Sequence, residues 1–252
     1  MNPPNLINKF PPILHWIKEN SSFHSRLHVH NYFSFLFPDS DMNAQIVVSI
    51  YDENGGHLRD HSTILGKDQS KFIEFNSLLE EVSATSLQGS VTVQIVPDKQ
   101  VDIFSKYEVM GSEFYMSYYS NDGGFSIVHN ARSVRYLPSR PLRSVMRILV
   151  DSSYDTSIVF QNVFYGSFLR SLQTLKPEII ILNREGAYKK LRGPSVPPRG
   201  SREVRLLDLD ATLGDFLGGQ PGAAYLSGKN MYFKPLTLIT HLPSNTFSVH
   251  HT

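Results

Sequence analysis

Apolar residues recur at every second position in short runs along this chain, and turn formers interrupt the runs about every ten positions. Ser90-Val91-Thr92-Val93-Gln94-Ile95 alternates cleanly, which puts Val91, Val93 and Ile95 on one face of a strand. Comparable β-branched and aromatic runs cover 46–51, 72–75, 91–96, 114–119, 125–128, 157–160 and 179–182. Between them stand turn sequences such as Glu53-Asn54-Gly55-Gly56, Asn121-Asp122-Gly123-Gly124 and Pro197-Pro198-Arg199-Gly200. Helical periodicity is confined to brief stretches at 76–83 and 210–217. Residues 13–19 (ILHWIKE), behind Pro11 and Pro12, are expected to form about two turns of helix at most. Trp16 is expected to pin this leading segment to a domain surface or a neighbouring subunit. Short strands with regular turns predict an all-β chain of antiparallel sandwiches.

The pattern also repeats. Phe125-Ser126-Ile127-Val128-His129-Asn130 closes the first half, and Phe247-Ser248-Val249-His250-His251-Thr252 closes the second. His30-Asn31 matches Gln161-Asn162, Gly55 matches Gly186, and Ser70-Lys71 matches Ser201-Arg202, each pair 131 positions apart. The offset falls to 122 at the closing motif, so the first copy holds nine extra residues, placed at 97–112. Ordered matches at a near-constant offset predict two tandem sandwiches from an internal duplication. The expected layout is a short N-terminal arm (1–24), an acidic first sandwich (25–130), an arginine-rich connection (131–155) and a basic second sandwich (156–252).

Composition changes this picture in one respect. At 252 residues, with 40% apolar and 19% charged residues, the chain can bury two ordinary cores. No run approaches the roughly 20 apolar residues of a membrane-spanning helix. The first residues lack the pattern of a secretory signal, so a cytoplasmic location is expected. With no cysteine, disulfides, thiolate metal sites and a cysteine nucleophile are excluded. The net charge of +1 hides an asymmetry: 31–130 hold 14 acids against 5 bases, whereas 131–252 hold 8 acids against 16 bases.

That asymmetry directs attention to the bases. Arg132, Arg135, Arg140, Arg143 and Arg147 crowd the connection, and Arg184, Lys189, Lys190, Arg192, Arg199, Arg202 and Arg205 follow in the second copy. Such a band suits a phosphate backbone, with Tyr188 available to stack on a base. It suits equally the acidic surface of the first copy, because opposed charges steer and register an interface. A moderate pI of about 8.0 favours the second use. The binding or partner surface is therefore assigned to Arg132, Arg135, Arg140, Arg143, Arg184, Lys189, Lys190, Arg192, Arg199 and Arg202.

Catalytic signatures are sparse. His28 and His30 share one face of a strand, as metal ligands do, with His129 a candidate third. The second copy carries Val159 and Gln161 in place of the pair, so no metal or other cofactor is expected. His129 and His251 close equivalent repeats and read as structural. There is no GxSxG elbow and no glycine-rich phosphate loop. Phe114-Tyr115-Met116-Ser117-Tyr118-Tyr119 offers rings for a sugar platform, although core and interface packing explains them as well.

Each copy resembles the sensory rhodopsin transducer family in three segments. These are the apolar run 179–182, the stretch Pro197-Pro198-Arg199-Gly200-Ser201-Arg202, and Leu206-Leu207-Asp208-Leu209, matched in the first copy by Phe75-Asn76-Ser77-Leu78. The resemblance implies a β-sandwich adaptor that oligomerises, with protein or DNA partners; it assigns no binding residue. The expected function is a non-catalytic cytoplasmic binding or adaptor protein that self-associates through oppositely charged sandwiches. Alternatives are a carbohydrate or anionic small-ligand module, then a histidine-centred metal enzyme.

Overall fold

A computed structural model of the chain describes residues 13–81, 84–99, 114–129, 143–162, 173–229, 231 and 235–251. Among the described residues the first half supplies eight strands: β1 (Ile13–Glu19), β2 (Phe23–His30), β3 (Ala44–Asp52), β4 (His57–Leu65), β5 (Ser70–Glu74), β6 (Leu87–Pro97), β7 (Tyr115–Ser120) and β8 (Phe125–His129). Eight more follow: β9 (Ser144–Ile148), β10 (Tyr154–Gln161), β11 (Lys176–Leu182), β12 (Tyr188–Arg192), β13 (Ser201–Arg205), β14 (Gly222–Lys229), β15 (Leu236–His241) and β16 (Thr246–His251). Short helices α1 (Tyr32–Leu36), α2 (Asn76–Glu81), α3 (Leu206–Leu209) and α4 (Leu213–Leu217) fill the corners.

The strands form four antiparallel sheets, two to a sandwich. Sheet 1 runs β1-β6-β3-β4 and sheet 2 runs β5-β2-β7-β8. Sheet 3 runs β9-β14-β11-β12 and sheet 4 runs β13-β10-β15-β16. The second pair repeats the order of the first strand for strand. Two side-chain hydrogen bonds repeat with it. Asn31, at the end of β2, donates its side-chain amide to Met42 O at 2.8 Å and Leu65 O at 3.4 Å. Asn162, at the end of β10, donates likewise to Gln173 O at 3.0 Å and Val196 O at 2.9 Å. Both acceptors move by the 131 positions that separate the asparagines. Gly55 and Gly186 close the β3–β4 and β11–β12 turns with φ of 83° and 82°, which glycine adopts without steric cost.

Ile13–Glu19 corrects the helical expectation. It is strand β1, paired along β6 from Ile13↔Val93 to Glu19↔Leu87. A seven-residue helix is too short to stand on propensity, whereas an edge position beside β6 pairs the backbone and buries Ile13, Leu14, Trp16 and Ile17. Trp16 is fully buried, with ring centroids 5.9 Å from Phe23 and 5.4 Å from Tyr118. Within the connection, Ser144–Ile148 forms β9, the first strand of the second sandwich. The insertion placed at 97–112 falls mostly outside the described residues.

Two apolar cores result. One lies inside the second sandwich and includes Met146, Ile148, Ile158, Phe160, Ile179 and Ile181. The other fills the first sandwich and extends into the second half, taking in Val159, Leu236, Leu238 and Val249. By register these four share the outer face of sheet 4. That face therefore packs against the first sandwich, and β10 is buried on both sides.

Candidate functional site

The oppositely charged groups meet at this seam. The β3–β4 turn of the acidic half sits on the start of β13. Ser201 N donates to Glu53 O at 3.1 Å. The Arg202 guanidinium donates to the same carbonyl at 2.7 Å and to Asn54 Oδ1 at 2.6 Å, with Glu53 Oε2 3.6 Å away. Lys18 Nζ lies 2.6 Å from Glu203 Oε2. At the other end Phe23 and Phe247 stack, centroids 4.5 Å apart, and Ser126 Oγ bridges Val249 N and O at 3.0 and 2.8 Å. Below the ion pair a cleft of about 380 Å³ is lined by Lys18, Phe23, Asp155, Glu203, Arg205 and Phe247, among others. Arg205 Nε donates to Asp155 Oδ2 at 2.6 Å, while buried Asp155 Oδ1 has no protein partner.

The basic residues read from sequence do not form one surface. Arg199 and Arg202 belong to the seam, Arg199 lying 5.9 Å over the Tyr51 ring. Arg184, Lys189, Lys190 and Arg192 belong to the β11–β12 hairpin on sheet 3. There Lys189 Nζ donates to Asp210 Oδ2 at 2.7 Å and holds that carboxyl down at about 2, and Lys190 Nζ lies 3.2 Å from Glu178. Arg184 and Arg192 are exposed, as is Arg143 just before β9. Arg132, Arg135 and Arg140 lie outside the described residues.

A second surface stands on the outer face of sheet 2. Alternation along β2 (FHSRLHVH) points His24, Arg26, His28 and His30 outward. Register adds Phe72 and Glu74 from β5, Tyr115, Ser117 and Tyr119 from β7, and Phe125, Ile127 and His129 from β8. Arg26 Nε donates to Glu74 Oε1 at 2.5 Å, and Tyr119 Oη donates to Glu74 Oε2 at 3.0 Å. The guanidinium lies 5.0 Å from the Tyr119 ring and 5.4 Å from the Phe72 ring. Phe72, Phe125 and Ile127 remain 63%, 60% and 51% exposed. The aromatic run at 114–119 thus splits: Phe114, Met116 and Tyr118 enter the core, and Tyr115 and Tyr119 face outward.

The histidines of this face are tied separately. His28 Nε2 lies 2.8 Å from Ser117 Oγ, and burial lowers its pKa. Ser117 is 1% exposed, so this pair fastens β2 to β7 and offers no accessible nucleophile. His30 contacts the rings of Tyr32 and Phe114, while His129 contacts those of Tyr115 and His251. His28 and His129 stand on strands separated by β7. Among the described residues, no three histidine or carboxylate side chains could hold a metal ion. At the edge, His24 Nδ1 lies 3.1 Å from Glu19 Oε2, and burial pushes the Glu19 carboxyl up to about 7.

Sequence reasoning missed Lys18, Phe23, Glu203, Phe247 and the apolar outer face of sheet 4. One signal was present. Ser157-Ile158-Val159-Phe160 does not alternate, and a strand without alternation is buried on both faces.

No helix among the described residues is long and apolar enough to cross a membrane. No family model and no curated protein matches the chain. Among solved structures, it aligns over 96% of its length with 24% of a β-glucuronidase from glycoside hydrolase family 2, at 9% identity and TM-score 0.16. A calcium-binding mutant of Bacteroides uniformis β-glucuronidase 2 aligns over 95% of this chain and 26% of its own, at 12% identity and TM-score 0.19. The T=3 particle of Penaeus vannamei nodavirus aligns over 92% and 75%, at 9% identity and TM-score 0.18. The chain spans only 24–26% of these glucuronidases, and TM-scores of this size establish no shared fold.

Proposed function

We propose that the chain is a non-catalytic binding or adaptor protein that self-associates through sandwiches of opposite charge. The observation that carries this reading is the seam. There Arg202 clasps the turn of the acidic half, with the Glu53 carboxylate 3.6 Å away, while Lys18 and Glu203, 2.6 Å apart, add an ion pair of the reverse polarity. The exposed Arg184 and Arg192 leave the basic half with charge still unpaired across its hairpin. Such charge draws a second chain and sets its register. The shared strand order and the two matching asparagine clasps support descent of both halves from one duplicated sandwich. The lack of cysteine fits a cytoplasmic setting.

Light scattering tests the reading. The chain is expected to exceed its monomer mass of 28.6 kDa at low salt. It should move toward that mass as salt is raised to about 0.5 M, where exposed charges are screened within a few ångströms. A mass of 28.6 kDa at every salt concentration would sink the proposal.

A further inference from the structure

The seam uses one flank of the first sandwich and one face of the second. The matching flank of the second sandwich and the matching face of the first are both exposed. Their residues can be paired through the strand order and register that the two halves share. Phe247 and Val249, buried or half-buried in the seam, correspond to Phe125 and Ile127, which are 60% and 51% exposed. Leu14 of β1 is fully buried, and Val145 at the corresponding place in β9 is 58% exposed. The seam ion pair Lys18–Glu203 corresponds to Leu149 and Phe72. An ionic pair on the used surfaces is thus replaced by an apolar pair on the free ones. The Phe23–Phe247 stack corresponds to Tyr154 and Phe125, aromatic again.

We infer that the outer face of sheet 2 docks on the β9 flank of a second copy of this chain, repeating between chains the contact made within one. This rests on the self-associating reading above and names its surface. Exposed apolar residues clustered on one sheet face signal an interface, and here Phe72 and Phe125 have counterparts, Leu149 and Tyr154, at the places that Lys18 and Phe23 hold in the seam. The surface and its target differ, so the contact is heterologous: one chain offers a face and the next a flank. Charge steers the approach, and Phe72, Phe125 and Val145 hold it. The turn clasp is not reproduced. Gly200 lets Glu53 O approach so closely that an added Cβ would lie 2.5 Å from it, and Gln69 occupies the matching place. Docking between chains therefore takes its hold from the apolar pairs and its salt-sensitive part from the exposed bases Arg143 and Arg147 of the β9 flank.

The test uses the full chain and sedimentation equilibrium. Phe72→Glu with Phe125→Glu spoils the face, and Val145→Glu spoils the flank. All three residues are exposed, so melting should be unchanged; Phe72→Ser with Phe125→Ser serves as a milder check. Each variant alone is expected to sediment at 28.6 kDa, its self-association weakened at least about 100-fold. An equimolar mixture should form a pair of twice that mass, because each variant keeps the surface that the other lacks. Variants that associate as the unaltered chain does would overturn this inference and leave charge-driven association standing. A mixture that stays monomeric would overturn the face-to-flank pairing. An unaltered chain that is monomeric at all salt and concentrations would overturn both proposals.

Discussion

Sheets 2 and 4 share one strand order and one register, yet their outer faces have opposite fates. On sheet 4 the outward positions include Val159, Leu236, Leu238 and Val249, all buried against the first sandwich. On sheet 2 the same positions hold His28 and Tyr115, half-buried, Ser117, covered by its neighbours, and Ile127, 51% exposed. Inward residues stay buried in both: Leu27, Val29 and Met116 in one half, Ile158, Phe160 and Thr237 in the other. The comparison separates two jobs within one strand. Alternate inward residues make the sandwich, while alternate outward residues decide whether a face is glued to a neighbour or left free to meet one.

The largest effect expected from probing this difference comes from two glycines. Gly55 and Gly186 have nearly the same positive φ, so alanine at either costs about 1 kcal/mol in backbone strain. Their surroundings differ. An added Cβ at Gly55 would lie 2.0 Å from Pro198 O across the seam, whereas at Gly186 it meets nothing within 4 Å. Gly55→Ala must displace the turn from β13 and is expected to cost about 3 kcal/mol or more in denaturant unfolding. Gly186→Ala should cost about 1 kcal/mol. Equal costs would show that the seam contributes nothing to stability.

The asparagine clasps should break the two halves alike. Asn31→Ala removes an amide that pairs with Met42 O and Gly66 O, and Asn162→Ala removes one that pairs with Gln173 O and Val196 O. Each substitution strands carbonyls that are at least partly buried and is expected to cost about 2 kcal/mol. Thermal melting of both variants checks this. A cost confined to one half would end the claim that the same device holds both corners.

These clasps also mark how far the sequence was legible. The 131-residue offset, the matched glycines and the alternation in β6 were readable because each is a local rule of turn or strand chemistry. Strand β1 was not, since ILHWIKE follows neither period cleanly and its pairing with β6 is a long-range contact. The seam was half legible. Charge asymmetry pointed to contact between the halves, but which arginines would meet the acids depended on how two sandwiches docked. Of the basic residues singled out, Arg199 and Arg202 reach the seam, while the hairpin bases pair within their own half or face solvent.

A last difference between the halves titrates. His15 in β1 and Met146 in β9 hold corresponding places beside β6 and β14, and both are buried. Burial lowers the His15 pKa from 6.5 to about 3, and its Nε2 has no hydrogen-bond partner. The unfolded chain therefore takes up a proton below pH 6.5 that the folded chain refuses. The His15 contribution is full above pH 6.5 and is lost as the pH drops, by about 2 kcal/mol at pH 5 for a shift of this size. Glu19 works in the opposite sense: its raised pKa favours the fold as the pH falls from 7 to 4.5 by an amount similar to the His15 loss, so the His15 contribution is read as the difference between variant and parent. His15→Met gives the first half the residue of the second in nearly the same volume, with no hydrogen bond lost. It should change stability little at pH 8 and raise it progressively below pH 6.5, as read by denaturant midpoints across that range. A variant with the parent's acid dependence would show that His15 is protonated in the folded chain, and that burial at this position does not distinguish the halves.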